Sequence, residues 1–482
     1  MEKYKMYIGG KFVDAVSGKT FPAINPATEE KFAEVPLGGK EDVDKAVAAA
    51  RKAFPEWMAK SQAERSETLL KIAEAVKPYI QELGKMDTID HGTPGRLAVG
   101  MMMDIPKDLE YCAQVARSFM DNVVTGHLGS FNYLQREPVG VCAVITPWNA
   151  PLGVVISKIA PALAVGNTVV IKPPSIDSTT TLKFAEIIDK LKLPEGLINV
   201  VTGPGSSIGK LLASHPGIDL VTFTGSLETG ADIMAAAAPT VKKLTLELGG
   251  KNPFIVMDDA DVDAAVMPGV MTRVANSGQI CAAPGRFYVH EKVYDEFVKK
   301  YIDAIQKINY GDPNDEKTFM GPVVSAEHRD KIESYYKIAV QEGAKIVVGG
   351  KRPPMAKGYY VMPTVFVDVN QKMRVAQEEI FGPVAVIIKF SDKDNIVELA
   401  NDNIYGLCAS VWSKNIPKAM KIAGQIRAGA VWINSHMLKG SDLPWGGFKQ
   451  SGFGKENGIL GLEEYTQVKW ISFNSAEARK PG

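Results

Sequence analysis

Residues 139–171 carry a single charged side chain, Lys158. Hydropathy alone would admit a membrane span there. Pro147, Pro151 and Pro161 would break such a helix, and Asn149 and Asn167 would strand polar groups in lipid. The reading that fits is a deeply buried strand, turn, helix and strand, and the chain that follows extends the same rhythm. Runs rich in β-branched residues at 141–146, 168–172, 198–201 and 220–223 alternate with helical patterns at 152–165, 179–191 and 206–214. Strands separated by one helix each imply right-handed crossovers and a parallel sheet covered on both faces. Upstream, residues 41–51 and 63–76 also have helical spacing. After Glu247-Leu248-Gly249-Gly250 the rhythm restarts with a strand at 253–257, so a second α/β unit is expected there. This is nucleotide-binding architecture, which by itself assigns no chemistry.

Composition narrows the function classes. Fifty-five basic residues balance fifty-five acidic ones, which argues against a disordered chain and against a broad basic face for nucleic acid. Four cysteines, Cys112, Cys142, Cys281 and Cys408, are too few for a disulfide scaffold and none has CxxC spacing. The charged N-terminal residues lack the apolar core of a secretory signal. A soluble cytoplasmic protein without a metal, not bound to membranes or nucleic acid, is the expectation.

Two local signals suggest a phosphate site. Phe223-Thr224-Gly225-Ser226 follows a strand and opens a helical stretch containing Gly230, a GxxxxG pattern that can expose backbone N–H groups to a pyrophosphate. It lacks both the GxGxxG fingerprint and the Lys-Ser/Thr of a P-loop, so an ordinary strand-to-helix turn fits equally well. Lys172 and Ser175 lie just past the end of a buried strand, the edge at which open α/β sheets bind ligands. Cys281 has turn formers before it and small residues after it, which leaves its sulfur approachable. A thiolate nucleophile needs a base, and His436 and Glu247 are candidates.

A set of separated motifs then carries a resemblance. Arg136-Glu137-Pro138-Val139-Gly140-Val141, Ile145-Thr146-Pro147-Trp148-Asn149, Phe223-Thr224-Gly225-Ser226, Glu247-Leu248-Gly249-Gly250-Lys251, Gly278-Gln279-Ile280-Cys281 with Arg286, and Glu379-Ile380-Phe381-Gly382-Pro383 occur in that order. With Pro444-Trp445-Gly446-Gly447-Phe448-Lys449-Gln450-Ser451-Gly452 and Glu456, they resemble the aldehyde dehydrogenase superfamily over nearly the whole chain. The resemblance implies a Rossmann-like dinucleotide-binding domain (1–118 and 139–249), a second α/β catalytic domain (250–450) and a small β extension for oligomerisation (119–138 and 451–482).

It also implies the chemistry. Cys281 attacks the aldehyde, the Asn149 amide stabilises the oxyanion, Glu247 activates water to hydrolyse the thioester, and Lys158 and Glu456 assist proton movement or hold the site as a buried ion pair. For NAD or NADP, it implies Lys172 at the adenosine ribose, Ser226 and Trp148 near the pyrophosphate, and Glu379 and Phe381 at the nicotinamide ribose. Thr146, Gly205, Thr224, Gly225 and Leu248 complete that site. Ser175 departs from the Glu usual in NAD-preferring members, so acceptance of NADP is expected.

The resemblance further implies an aldehyde pocket lined by Ala150, Val154, Ser157, Ile280, Ala282, Leu438 and Trp445. Its small helix face suggests a medium-sized, aromatic or branched aldehyde, while Lys439 either meets an anionic substrate or points to solvent. The rivals are a CoA-acylating enzyme, against which Glu247 argues, and a relative that has lost its chemistry. Strand patterns at 131–136 and 465–473 suit either edges buried in a homodimer or homotetramer, or an intramolecular hairpin.

Overall fold

A computed structural model describes residues 1–119, 121–124 and 130–474. The buried stretch folds as the strand Val141–Ile145, the helix Pro151–Ala164 and the strand Thr168–Lys172. Every residue of both strands is buried. Their alternate side chains enter different cores: Cys142 and Val144 pack on one face, Val141, Ala143 and Ile145 on the other. A parallel strand covered on both faces must read as a continuous apolar run, which is why hydropathy mimicked a membrane span. Among the described residues no helix is long and apolar enough to cross a membrane.

The expected helix at 152–165 forms as Pro151–Ala164, with Pro147 in the turn before it. Pro151 occupies the first turn, where a missing N–H costs nothing, and Pro161 sits one turn before the end. The expected single helix at 206–214 is corrected: Gly205–Gly209 forms a wide turn that leads into the short helix Lys210–Ser214.

These strands belong to an eight-stranded sheet. In spatial order it runs Gly452–Phe453, Lys243–Glu247, Leu220–Thr224, Val141–Ile145, Thr168–Lys172, Ile198–Val200, Met6–Ile8 and Lys11–Val13. The central five are parallel, and antiparallel strands close both edges. Chain order reverses between Val141–Ile145 and Leu220–Thr224, which opens a crevice at their carboxyl ends.

A second sheet of seven strands is centred on Asn252–Val256, Pro284–His290 and Val384–Phe390, with Cys408–Trp412 and Ala430–Ile433 on one side. A third sheet pairs Thr466–Asn474 with Ser130–Pro138 along nine residues, and Asn122–Val124 extends it. The two expected strand patterns therefore pair with each other within the chain. Parts of the expected extension, 120, 125–129 and 475–482, lie outside the described residues.

Candidate active site

The two large sheets present opposite ends to one another. Asn149 and Ser226 follow the carboxyl ends of first-sheet strands, whereas Gly250, Cys281 and Glu379 precede the amino ends of second-sheet strands. Loops from both sheets thus converge on one place.

The Cys281 loop is held by unusual backbone. Asn276, Ser277 and Gly278 have φ of 48, 56 and 74°, three successive left-handed residues. Side chains brace them: Ser277 Oγ donates to the Gly321 carbonyl (2.8 Å), and Asn276 Nδ2 to the Asn149 carbonyl (3.0 Å). Arg273, fully buried, donates to the carbonyls of Gly278 (2.6 Å) and Pro284 (3.1 Å), on either side of Cys281. Asn252 Nδ2 donates to the Cys281 and Ala283 carbonyls at 2.7 and 2.9 Å. Cys281 itself is half-buried, whereas Cys112, Cys142 and Cys408 are buried, and all four are free thiols. Desolvation pushes the Cys281 thiol up to about 11.

Asn149 Nδ2 donates to the Gln279 carbonyl at 2.8 Å. An amide has two N–H groups, so one anchors the side chain beside the Cys281 loop and the other remains to give. Trp148 packs among His91, His328 and Phe381, with ring centroids 5.2–5.7 Å apart.

Glu247 ends its strand only 4 % exposed, and its Oε2 has no hydrogen-bond partner. Burial, reinforced by the charge of Glu456, holds its carboxyl well above the usual range. A Cβ on Gly446 would come within 2.8 Å of Glu247 Oε1, so the Pro444–Gly447 loop closes on that carboxylate. His436, the other candidate base, is committed elsewhere: Nε2 lies 2.9 Å from the Ala282 carbonyl and Nδ1 3.2 Å from Ser410 Oγ. Lys158 and Glu456 form a buried ion pair, which Thr222, Thr224 and Ser157 support through hydroxyl groups.

On the first-sheet side, Lys172 is buried, its side chain makes no ion pair or hydrogen bond among the described residues, and desolvation pulls its ammonium down to about 8. Thr146 Oγ1 is likewise buried without a partner. A Cβ on Gly205 would lie 3.8 Å from Lys172 Nζ. An unpartnered buried cation and hydroxyl beside a glycine suit an anionic, hydroxyl-rich ligand. Ser226 caps the helix Leu227–Ala237, its Oγ accepting from Thr229 N–H (3.2 Å). Ser175 is half-buried, and Leu248 packs where Gly230 leaves room. Glu379 accepts the Gly250 N–H at 3.0 Å and occupies space that a Cβ on Gly249 would need.

Around the mouth, Val154, Ser157, Ile280 and Trp445 are half-buried and Leu438 is exposed. Ala150 caps the helix that carries Val154 and Ser157. Ala282 is fully buried, and its carbonyl holds His436 and Cys408, so it supports the pocket from behind instead of facing it. Arg273, Asn252 and Gln279 were missed as site residues. Only the turn-forming composition of 276–278 signalled a constrained loop, and nothing local marks the residues that brace it.

The family model for the aldehyde dehydrogenase family matches residues 12–471. The chain belongs to the aldehyde dehydrogenase family. It is 42% identical to a betaine aldehyde dehydrogenase of Bacillus subtilis (strain 168) over 98% of each chain. It is 44% identical to an aldehyde dehydrogenase of Enchytraeus buchholzi over 98% of this chain and 96% of that one. A crystal structure of betaine aldehyde dehydrogenase from Staphylococcus aureus in complex with NAD+ is 40% identical and superposes with a TM-score of 0.96, covering 98% of this chain and 95% of that one. As an aldehyde dehydrogenase, the chain oxidises an aldehyde to a carboxylic acid with hydride transfer to NAD(P)+.

Proposed function

We propose that Cys281 is the nucleophile, Asn149 the oxyanion donor and Glu247 the hydrolytic base. The observation that carries this is the convergence of a half-buried thiol, an anchored amide with an N–H to spare, and a buried carboxylate with a free oxygen. Attack of the Cys281 thiolate on the carbonyl carbon forms a thiohemiacetal. The Asn149 amide and the Cys281 backbone N–H receive the developing oxyanion, each such donor being worth about 3–4 kcal/mol of barrier. The bound dinucleotide supplies the hydride acceptor. Glu247 then removes a proton from water, which attacks the thioester, releases the acid and returns the thiol. A desolvated carboxylate of raised pKa is a stronger base than an exposed one. The Lys158–Glu456 pair, with the Thr224 hydroxyl on Glu456, holds the floor of the site.

Lys172, Ser175, Thr146, Gly205, Thr224, Gly225 and Ser226 hold the adenosine and pyrophosphate end, with Trp148 and Leu248 packed alongside. Glu379 and Phe381 hold the nicotinamide ribose. The uncharged Ser175 does not repel a 2′-phosphate, which supports use of NADP as well as NAD. The first sheet, with 1–118 and 139–249, serves as the dinucleotide domain and 250–450 as the catalytic one. Small residues on the Pro151–Ala164 face suit a medium-sized aldehyde; the relatives named for betaine aldehyde supply a reference compound. Four free thiols suit a reducing cytoplasm.

Cofactor reduction followed by absorbance tests this reading with both dinucleotides. Cys281→Ala abolishes turnover, and NADP is used within about tenfold of NAD, equivalent to about 1.4 kcal/mol. Full activity of Cys281→Ala would refute the nucleophile, and a larger NAD preference would refute the role given to Ser175.

A further inference from the structure

Resting on that aldehyde-oxidising reading, we infer that the substrate bears an anionic group remote from its carbonyl, a carboxylate for instance, and that Lys439 selects it. The product is then a dicarboxylic acid.

The argument begins with how Lys439 is delivered to the mouth. The segment after the strand Ala430–Ile433 is fixed at several points. Asn434 exchanges hydrogen bonds with the backbone of Ser413, both at 2.9 Å. His436 bonds the Ala282 carbonyl, next to Cys281, at 2.9 Å, and Trp432 Nε1 donates to the Leu438 carbonyl at 3.2 Å. Asn434 and Met437 have φ of 52 and 59°, a strained backbone that persists only where its surroundings impose it. One residue past the Trp432 contact, Lys439 lays its ammonium 5.7 Å from the centre of the Trp445 ring. Trp445 stacks on Trp432 at 6.4 Å, and both its backbone groups pair with Glu456 at 2.7 Å. The lysine therefore stands on a braced aromatic wall.

The charge also has no ion-pair partner: Lys439 is exposed and makes no ion pair among the described residues. The nearby carboxyl groups do not pair with it, and most are otherwise engaged or weakened. Asp108 accepts a hydrogen bond from Ser441 Oγ at 2.6 Å and burial raises its pKa, Glu456 is paired with Lys158, Glu247 is held up by burial, and Asp442 is exposed to solvent. Among the charged groups acting on Cys281, Lys439 has the largest influence and favours the thiolate, which places its field inside the reaction site. A carboxylate at the far end of the aldehyde would gain from that field, with its apolar spacer against Trp445 and Trp432, and a trimethylammonium group would be repelled.

Steady-state assays compare 5-oxopentanoate, pentanal and betaine aldehyde in the parent enzyme and in Lys439→Gln, Lys439→Arg and Lys439→Glu. The parent prefers 5-oxopentanoate to pentanal by about tenfold or more in kcat/KM, mainly through KM, and the preference shrinks as salt is raised. Lys439→Gln lowers that ratio about tenfold, Lys439→Arg preserves it, and Lys439→Glu raises the ratio of betaine aldehyde to pentanal. Comparing ratios between variants cancels the intrinsic reactivity of each aldehyde. An unchanged ratio in Lys439→Gln, or a parent that prefers betaine aldehyde to pentanal, overturns the inference while leaving aldehyde oxidation standing. A parent that oxidises none of the three overturns both.

Discussion

Cys281 and Glu247 are both harder to ionise in the folded chain than in water, for one physical reason. Each loses solvent without gaining a close positive partner, since Lys158 is spent on Glu456 and Lys439 stands at the mouth. With the thiol near 11, the thiolate fraction at pH 7 is of order one in ten thousand and rises about tenfold per pH unit. In the protein without dinucleotide, alkylation of Cys281 by iodoacetamide should therefore accelerate steadily from pH 7 to pH 10. A rate that levels off near pH 8 would show that a neighbouring group already ionises the thiol. The motif around Cys281 points to the proposed nucleophile, but nothing in it chooses between His436 and Glu247 as base. Both are titratable residues distant in sequence, and only the contacts of His436 with Ala282 and Ser410 remove it from contention.

The element that decides the site's geometry is the short turn Ala275–Gly278 between the helix Val262–Val274 and the Cys281 loop. Left-handed backbone costs roughly 1–2 kcal/mol at each non-glycine residue, so Asn276 and Ser277 are retained against a penalty that Arg273, Ser277 and Asn276 side-chain bonds offset. Gly278 adds a steric demand, because a Cβ there would sit 2.3 Å from the backbone of Gly382. Gly278→Ala should lower stability by roughly 2 kcal/mol or more and reduce kcat with it, as read by thermal denaturation and steady-state assay. Wild-type melting and kcat would show that the loop is free to move. Here the sequence marked a turn, but left-handed conformation at two non-glycine residues was not predictable, since it is imposed by tertiary bonds.

At the scale of the whole molecule, the third sheet leaves apolar surface exposed on both of its sides. Val468 and Trp470 project from one side of Thr466–Asn474, and Phe473 with its cross-strand partner Phe131 from the other; the four are 49–70 % exposed. The strands satisfy one another's backbone along one edge, so what remains unmet is apolar surface and a sheet edge, which suits burial against another copy. Trp470→Glu should shift the mass measured by light scattering toward the monomer, with the melting temperature of each subunit's core little changed. The same mass for variant and parent would show that the side bearing Trp470 serves no subunit contact.

What the sequence determined by itself was the α/β architecture and the family, and with them the candidates for the reactive residues. A strand buried on both faces has to be a continuous apolar run, and a thiol, amide and carboxylate in separated motifs announce their chemistry wherever they lie. Tertiary structure alone decided which polar atoms lost their partners. Thr146 Oγ1 and Glu247 Oε2 are left unsatisfied and the Lys172 ammonium without an ion pair among the described residues, while His436, Arg273 and Asn252 are spent on the backbone around Cys281. Desolvation and hydrogen bonding depend on which neighbours the fold brings together, some of them as distant as His436 and Ala282, so no local pattern records them.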